Sequence, residues 1–274
     1  MTAVSGHLSK METEAGNPVN YSLPLDQLSL PLNPFLGRKL SLRFTGAIHC
    51  IACGRKIPKS YSQGYCFPCT RVLAECDFCI LKPEQCHYHK GTCRQPDWGL
   101  AHCFQPHYVY LANSSGLKVG ITRNVNIPTR WIDQGACQAL PILRVASRFQ
   151  SGLLEVLFKD HVADKTNWRQ MLQECPRNLD LPAHRDRLLA ACAGGIAALQ
   201  DRFGADAIVC LENEPVVELE YPVHRYPERV TSLNFDKTPV IEGVLHGIKG
   251  QYLILDKGVL NIRKFTGYEV AVDA

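Results

Sequence analysis

Thiols are the residues whose spacing says most about chemistry. Cys50-Ile-Ala-Cys53 and Cys66-Phe-Pro-Cys69 form a C-x2-C-x12-C-x2-C pattern. Each close pair can bend around one ion, and the residues between can return as a hairpin that completes a tetrahedral shell. Zinc suits four thiolates at this spacing, with iron the alternative. Four protein ligands leave no open position, so the expected role is structural. A second run follows at Cys76, Cys79, Cys86, Cys93 and Cys103, with His87, His89 and His102 among them. Its spacing is irregular, and four of the five cysteines, or three and a histidine, would complete a second site. A loop-rich segment with so few aliphatic residues needs such an ion to hold it. The expectation is therefore about two structural zinc ions per chain.

The chain has 274 residues and 13 cysteines, nine of them between Cys50 and Cys103, while Cys137, Cys175, Cys192 and Cys210 are scattered. The first residues lack the basic start and apolar run of a secretory signal, which favours reduced thiols and a cytoplasmic protein over a disulfide framework. The uncharged run from Leu188 to Gln200 is too short to span a bilayer. Residues 36–145 carry 14 Lys or Arg against 5 Asp or Glu, and the remainder 16 against 21. Even after two tetrathiolate sites remove some of that excess, a basic surface for DNA or RNA remains. Lys56, Lys59 and Tyr61, inside the first cysteine loop, could hold a phosphate backbone and stack on bases.

Elements must position these groups. Residues 1–35, rich in Pro, Leu, Ser and Asn, read as extended or turning chain. Lys39 to Thr45 alternates as a half-buried strand. Tyr108 to Ala112, a turn at Asn113-Ser-Ser-Gly116 and Leu117 to Thr122 predict a hairpin. Asn126 and Pro128 would cap and open a helix running to about Ala136, and Pro141 to Phe149 is a third strand. Ser151 would cap a helix that reaches Leu172 with a break near 164–167. Another would run from Pro182 to Phe203, closed by Gly204. Beyond Ala207 the period becomes two, with Val217, Leu219, Tyr221 and Val223 alternating, and a further hairpin spans Tyr252 to Arg263.

The run Tyr108-Val-Tyr110-Leu, a turn, Lys118-Val-Gly120-Ile-Thr122, then Arg130 and Glu155, resembles the GIY-YIG nuclease superfamily over roughly residues 107–172. Together with the cysteine-rich run, Ser114-Ser-Gly-Leu-Lys-Val-Gly-Ile-Thr-Arg123 also resembles an uncharacterised bacterial family known only as a domain of unknown function. The superfamily resemblance implies a β-β-α-β-α core in which Tyr110 and Gly120 match the two motifs, Arg130 the helix arginine and Glu155 the metal-binding carboxylate. It implies Mg or Mn at Glu155, a phenol handling the attacking water and a guanidinium on the phosphate. Lys118 stands where the second motif usually has tyrosine, Tyr108 replaces the leading glycine, and the downstream asparagine has no match beyond Asn167.

The expected fold class is α+β: an N-terminal β segment (1–49) that could pair with the C-terminal module, a zinc-binding region (50–106), a GIY-YIG-like core with added helices (107–204) and a small C-terminal β module (205–274). Tyr110, Lys118, Arg130 and Glu155 are the catalytic candidates. Lys56, Lys59, Tyr61, Lys118, Arg123 and Arg130 are the candidates for nucleic-acid contact. Three functions remain open: a zinc-stabilised nucleic-acid-binding protein with metal-dependent phosphodiesterase activity, a non-catalytic nucleic-acid adaptor, and a metal or thiol sensor. Oligomeric state is not written in the sequence.

Overall fold

The computed structural model describes residues 4–273. Three antiparallel sheets and seven α-helices make up an α+β arrangement of these residues. The N-terminal stretch supplies four short strands, β1 (Val4–His7), β2 (Glu12–Glu14), β3 (Asn20–Leu25) and β4 (Leu28–Pro31). Tyr21, Leu23 and Leu25 alternate inward along β3, which pairs with β2 and β4 on either side. The alternating strand follows as β5 (Lys39–Ile48), with Leu40 and Leu42 buried.

The cysteine-rich region contains only α1 (Phe67–Val72), α2 (Pro96–Cys103) and four intervening 3₁₀ turns. The chain then forms β6 (His107–Asn113), β7 (Leu117–Arg123), α3 (Thr129–Asp133), β8 (Gln138–Val145) and α4 (Arg148–Phe158). After α5 (Trp168–Met171), α6 (Leu181–Ala191) and α7 (Ala193–Phe203) come β9 (Ile208–Cys210) and β10 (Val217–Glu218). The last strands are β11 (Val240–Lys249), β12 (Tyr252–Leu255), β13 (Gly258–Asn261) and β14 (Tyr268–Asp273). The two ends of the chain meet in one six-stranded sheet, ordered β1-β14-β5-β11-β12-β13.

The second large sheet runs β10-β8-β6-β7, with β9 on the other end of β8. β6 is its central strand and is covered on both faces. Val109 and Leu111 pack with Leu154, Phe158 and Leu188 of the helices, whereas Tyr110 and Ala112 pack with Trp131 toward the six-stranded sheet. Burial on both sides explains why this segment reads as an unbroken apolar run.

Several boundaries differ from the sequence pattern, each for a local reason. α4 begins one turn early because Ser147 and Gln150 form a reciprocal capping box, while Ser151 lies inside the helix and donates to the Arg148 carbonyl. That helix ends at Phe158, before the expected break, and Asn126 closes a 3₁₀ turn instead of capping α3. The long helix expected from Pro182 divides at Cys192, ahead of Gly194 and Gly195, where Gly195 lets the chain approach Leu157. Of the alternating residues beyond Ala207 only Val217–Glu218 is a strand, and it joins β8. Tyr221 instead turns inward and donates to the Ala136 carbonyl at 2.8 Å.

Candidate metal centre and candidate phosphodiester site

Cys50 leaves the end of β5, and Cys66 is the N-cap of α1, where its sulfur accepts the Cys69 N–H. The Cys50 N–H donates to the Arg55 carbonyl and the Gly54 N–H to the Cys50 carbonyl, so the first pair sits on a tight turn. The four sulfurs of Cys50, Cys53, Cys66 and Cys69 lie within 4.8 Å of one another, and those of Cys53 and Cys66 are 3.8 Å apart. Tetrahedral zinc–sulfur bonds of about 2.3 Å put neighbouring sulfurs about 3.8 Å apart, so this group could hold zinc with little movement. Burial works against a thiolate at Cys50, but the backbone N–H groups of Cys66, Cys53 and Ala52 overcome it and bring this thiol down to about 6. Those N–H groups favour the deprotonated form that a metal needs.

In the second run the thiols part company. Cys79, Cys86, Cys93 and Cys103 line one small cavity, whereas Cys76 faces a separate, open groove. Asp77, Cys79 and His87 also place ligand atoms within 4.8 Å of one another. His102 is turned away, stacked on Trp98 and bonded through Nδ1 to that residue's carbonyl.

The hairpin pairs Tyr110 with Gly120 directly, and a Cβ on Gly120 would lie 2.6 Å from the Tyr110 Cζ and hydroxyl. Glycine is therefore required for the tyrosine ring to cross the neighbouring strand. Lys118, two pairs further along, is 4 % exposed, and its Nζ donates to Gln134 Oε1 at 2.5 Å. The Tyr110 hydroxyl donates to the same oxygen at 2.9 Å. Gln134 follows α3, the helix that carries Arg130, so one amide ties the hairpin to that helix. α4 packs against β6 and β7 and brings Glu155 within electrostatic reach of Tyr110 and Lys118.

The charges in this group are mutually perturbed. Burial, reinforced by Arg130, lowers the Lys118 ammonium to about 8 against the pull of Glu155 and Asp164. Burial raises the Tyr110 phenol to about 12, with Arg130 pulling the other way. The Glu155 carboxyl is raised by burial and by Asp164, in opposition to Arg148 and Arg130. Among the described residues the Glu155 side chain has no hydrogen-bond or ion-pair partner, and the exposed Asp164 lies within its electrostatic range. Nearby His107 is lowered to about 4 by burial and remains neutral at ordinary pH.

The sequence-selected basic residues fall into two places. Lys56, Lys59 and Tyr61 are exposed on the first metal loop, with the Lys59 Nζ 5.5 Å from the Tyr61 ring centre. Arg123 ends β7, and Arg130 lies on α3 in electrostatic range of Arg263. A groove of about 940 Å³ is lined by Tyr61 of the metal loop together with Phe67, Arg71, Arg94 and Arg263. Asn167 is apart from this chemistry, since its side chain caps α5. The sequence reading missed Gln134, Arg148 and Asp164. Of these only Gln134, four residues after Arg130 on a helical path, had a signal that spacing could have used.

The class of protein is thus an α+β fold with a tetrathiolate group able to hold zinc and a separate cluster of buried polar groups. Residues 37–270 match a family described as "Protein of unknown function (DUF2797)", and the chain belongs to that family. No curated protein and no solved structure matches it. Among the described residues no helix is long and apolar enough to cross a membrane.

Proposed function

We propose that the protein binds nucleic acid and cleaves its phosphodiester backbone with a divalent cation, using a GIY-YIG-like segment braced by the cysteine-rich region. One observation carries this reading: Tyr110 laid across Gly120, with Lys118, Arg130 and Glu155 gathered around the same Gln134-linked hairpin. These groups come from two strands and two helices, and a purely structural core has little use for so many ionisable side chains under cover.

In this reading the Arg130 guanidinium binds the phosphate and neutralises charge that grows during transfer. Lys118, lowered toward neutrality, is the group best placed to take a proton from the attacking water. Tyr110 has its proton committed to Gln134 and a high affinity for it, so it orients the water through its lone pairs. Glu155, with Asp164, would hold Mg or Mn, which supplies Lewis-acid charge stabilisation. The groove lined by Arg71, Arg94 and Arg263 provides the backbone path toward the exposed Lys59 and Tyr61.

The adaptor reading keeps the same binding surface and drops the chemistry, and Lys118 in place of a second phenol favours it. A panel of single-stranded, duplex and branched DNA and RNA, incubated with magnesium or manganese, separates the two. Cation-dependent cleavage lost in Glu155→Gln with binding retained supports catalysis. Retention without cleavage moves the assignment to the adaptor, and no retention at low salt ends both.

A further inference from the structure

We propose that Cys79, Cys86, Cys93 and Cys103 hold a second structural zinc ion, and that Cys76 is not one of its ligands. Spacing alone would choose otherwise, because Cys76-Asp-Phe-Cys79 is the one close pair in this run. The fold separates that pair. Asp77 caps the 3₁₀ turn at Phe78–Ile80 through a 2.6 Å bond to the Phe78 N–H, which turns Cys79 inward and leaves Cys76 on the wall of the open groove.

The four inward thiols all line one cavity of about 20 Å³, room for one ion, whose wall is completed by Asp77, His87, Ala74, Tyr88, Trp98 and Phe104. Each thiol sits at a rigid point of the chain. Cys79 lies in one 3₁₀ turn, Cys86 ends the next, Cys103 ends α2, and Cys93 packs 3.4 Å from where a Cβ on Gly99 would lie. Little apolar packing supplies a core here beyond Tyr88 against Phe104 and the seat of α4 on Pro83. The segment from Ala74 to Phe104 contains one two-turn helix and a string of single turns, and Leu81 and Phe78 are exposed. An ion is what such a segment needs to hold a fixed shape.

The competing donors are already engaged. The Asp77 carboxylate meets the Arg94 guanidinium at 2.9 Å and His87 Nε2 at 3.3 Å, and His87 Nδ1 is 2.8 Å from the Thr92 hydroxyl. These four residues form a bonded brace, of which Asp77 and His87 stand in the cavity wall. The four-thiolate shell would carry net negative charge, and Arg148 and Arg123 lie in electrostatic range of Cys103. Arg148 donates to the Ile80 carbonyl at 2.7 Å, yet its Nε is buried with no partner among the described residues. A thiolate bound to a cation is the acceptor such a donor lacks.

The test uses the whole purified chain. Elemental analysis of the wild type should give two zinc ions per chain, and one zinc or none would overturn the proposal. Iodoacetamide applied to the native protein, with peptide mass spectrometry, should label Cys76 at least tenfold faster than Cys79, Cys86, Cys93 or Cys103. Protection of Cys76, or labelling of any of the four while zinc content is unchanged, would overturn the ligand set. Cys76→Ser should retain two zinc ions and Cys93→Ser only one. Should Cys93→Ser fail to fold, X-ray absorption on wild-type protein still decides. Four sulfurs per zinc support the assignment, and an averaged nitrogen contribution of half a ligand, as His87 would give, removes it.

Discussion

The cysteine-rich region and the β6-to-α4 segment place polar side chains by opposite means. In the first, short turns bring thiols together with few apolar side chains around most of them, so ligation of a metal would add stability there. In the second, a strand buried on both faces and two packed helices fix Tyr110, Lys118 and Glu155 before any ligand arrives. One region would draw stability from a bound ion, and the other holds its polar groups by packing alone. Substitutions should therefore fail differently in the two regions.

The largest expected effect is in the first. Structural zinc contributes on the order of 10 kcal/mol to folding in small zinc modules, so Cys50→Ser should make residues 48–72 protease-sensitive and remove one zinc. Limited proteolysis with and without a chelator reads this, and a variant as resistant as wild type would break the contrast. Next comes the chemical core. Glu155→Gln should abolish cation-dependent cleavage and change nucleic-acid affinity less than about twofold, while Arg130→Ala should cost roughly 10²–10³ in rate and weaken binding as well. Single-turnover rates and fluorescence anisotropy separate the two outcomes, and the melting profile of Glu155→Gln should remain that of the wild type.

A smaller effect tests the packing that presents Tyr110. Gly120→Ala puts a methyl group against the tyrosine ring, and overpacking of this kind costs about 1–3 kcal/mol. Chemical denaturation measures that loss, and an unchanged midpoint would mean that the ring can move aside freely. The smallest concerns proton affinity. Lys118 is lowered from 10.5 to about 8, so between those values the unfolded chain binds more protons than the folded one. The penalty for burying its charge is therefore fully present below about pH 8 and is relieved as pH rises toward 10.5, so stability rises through that window. Lys118→Met should lack this rise when denaturation is followed from pH 7.5 to 10, and cleavage by the wild type should increase toward alkaline pH.

How much of this was legible in sequence follows the same division. The C-x2-C pairs announce the first thiolate group because two-residue spacing closes around one ion whatever the fold does next. The hairpin was equally plain, since β-prone runs flank Asn113-Ser-Ser-Gly116. Choosing among Cys76, Cys79, Cys86, Cys93 and Cys103 was beyond spacing, because an aspartate cap turns one thiol of the close pair away from the other. Gln134 was missed for a related reason, since it matters through one shared oxygen that joins two separate elements. The split of the helix at Cys192 and the diversion of Val217 into the core sheet depend on tertiary contacts that no local window contains.

Gly152 lies halfway along α4, on the face that meets the cysteine-rich segment. A Cβ there would fall 2.6 Å from the Glu84 backbone nitrogen and from the Pro83 Cβ. The helix that bears Glu155 is thus seated backbone to backbone on a turn between Cys79 and Cys86. The cysteine-rich stretch is consequently no detachable cassette. Cutting the chain before β6 would bare the back of α4, and grafting the stretch onto another protein would strand the surface it was shaped to support. A distortion of the turn between Cys79 and Cys86 would therefore be passed to the helix that carries Glu155, so the two regions should keep or lose their shape together.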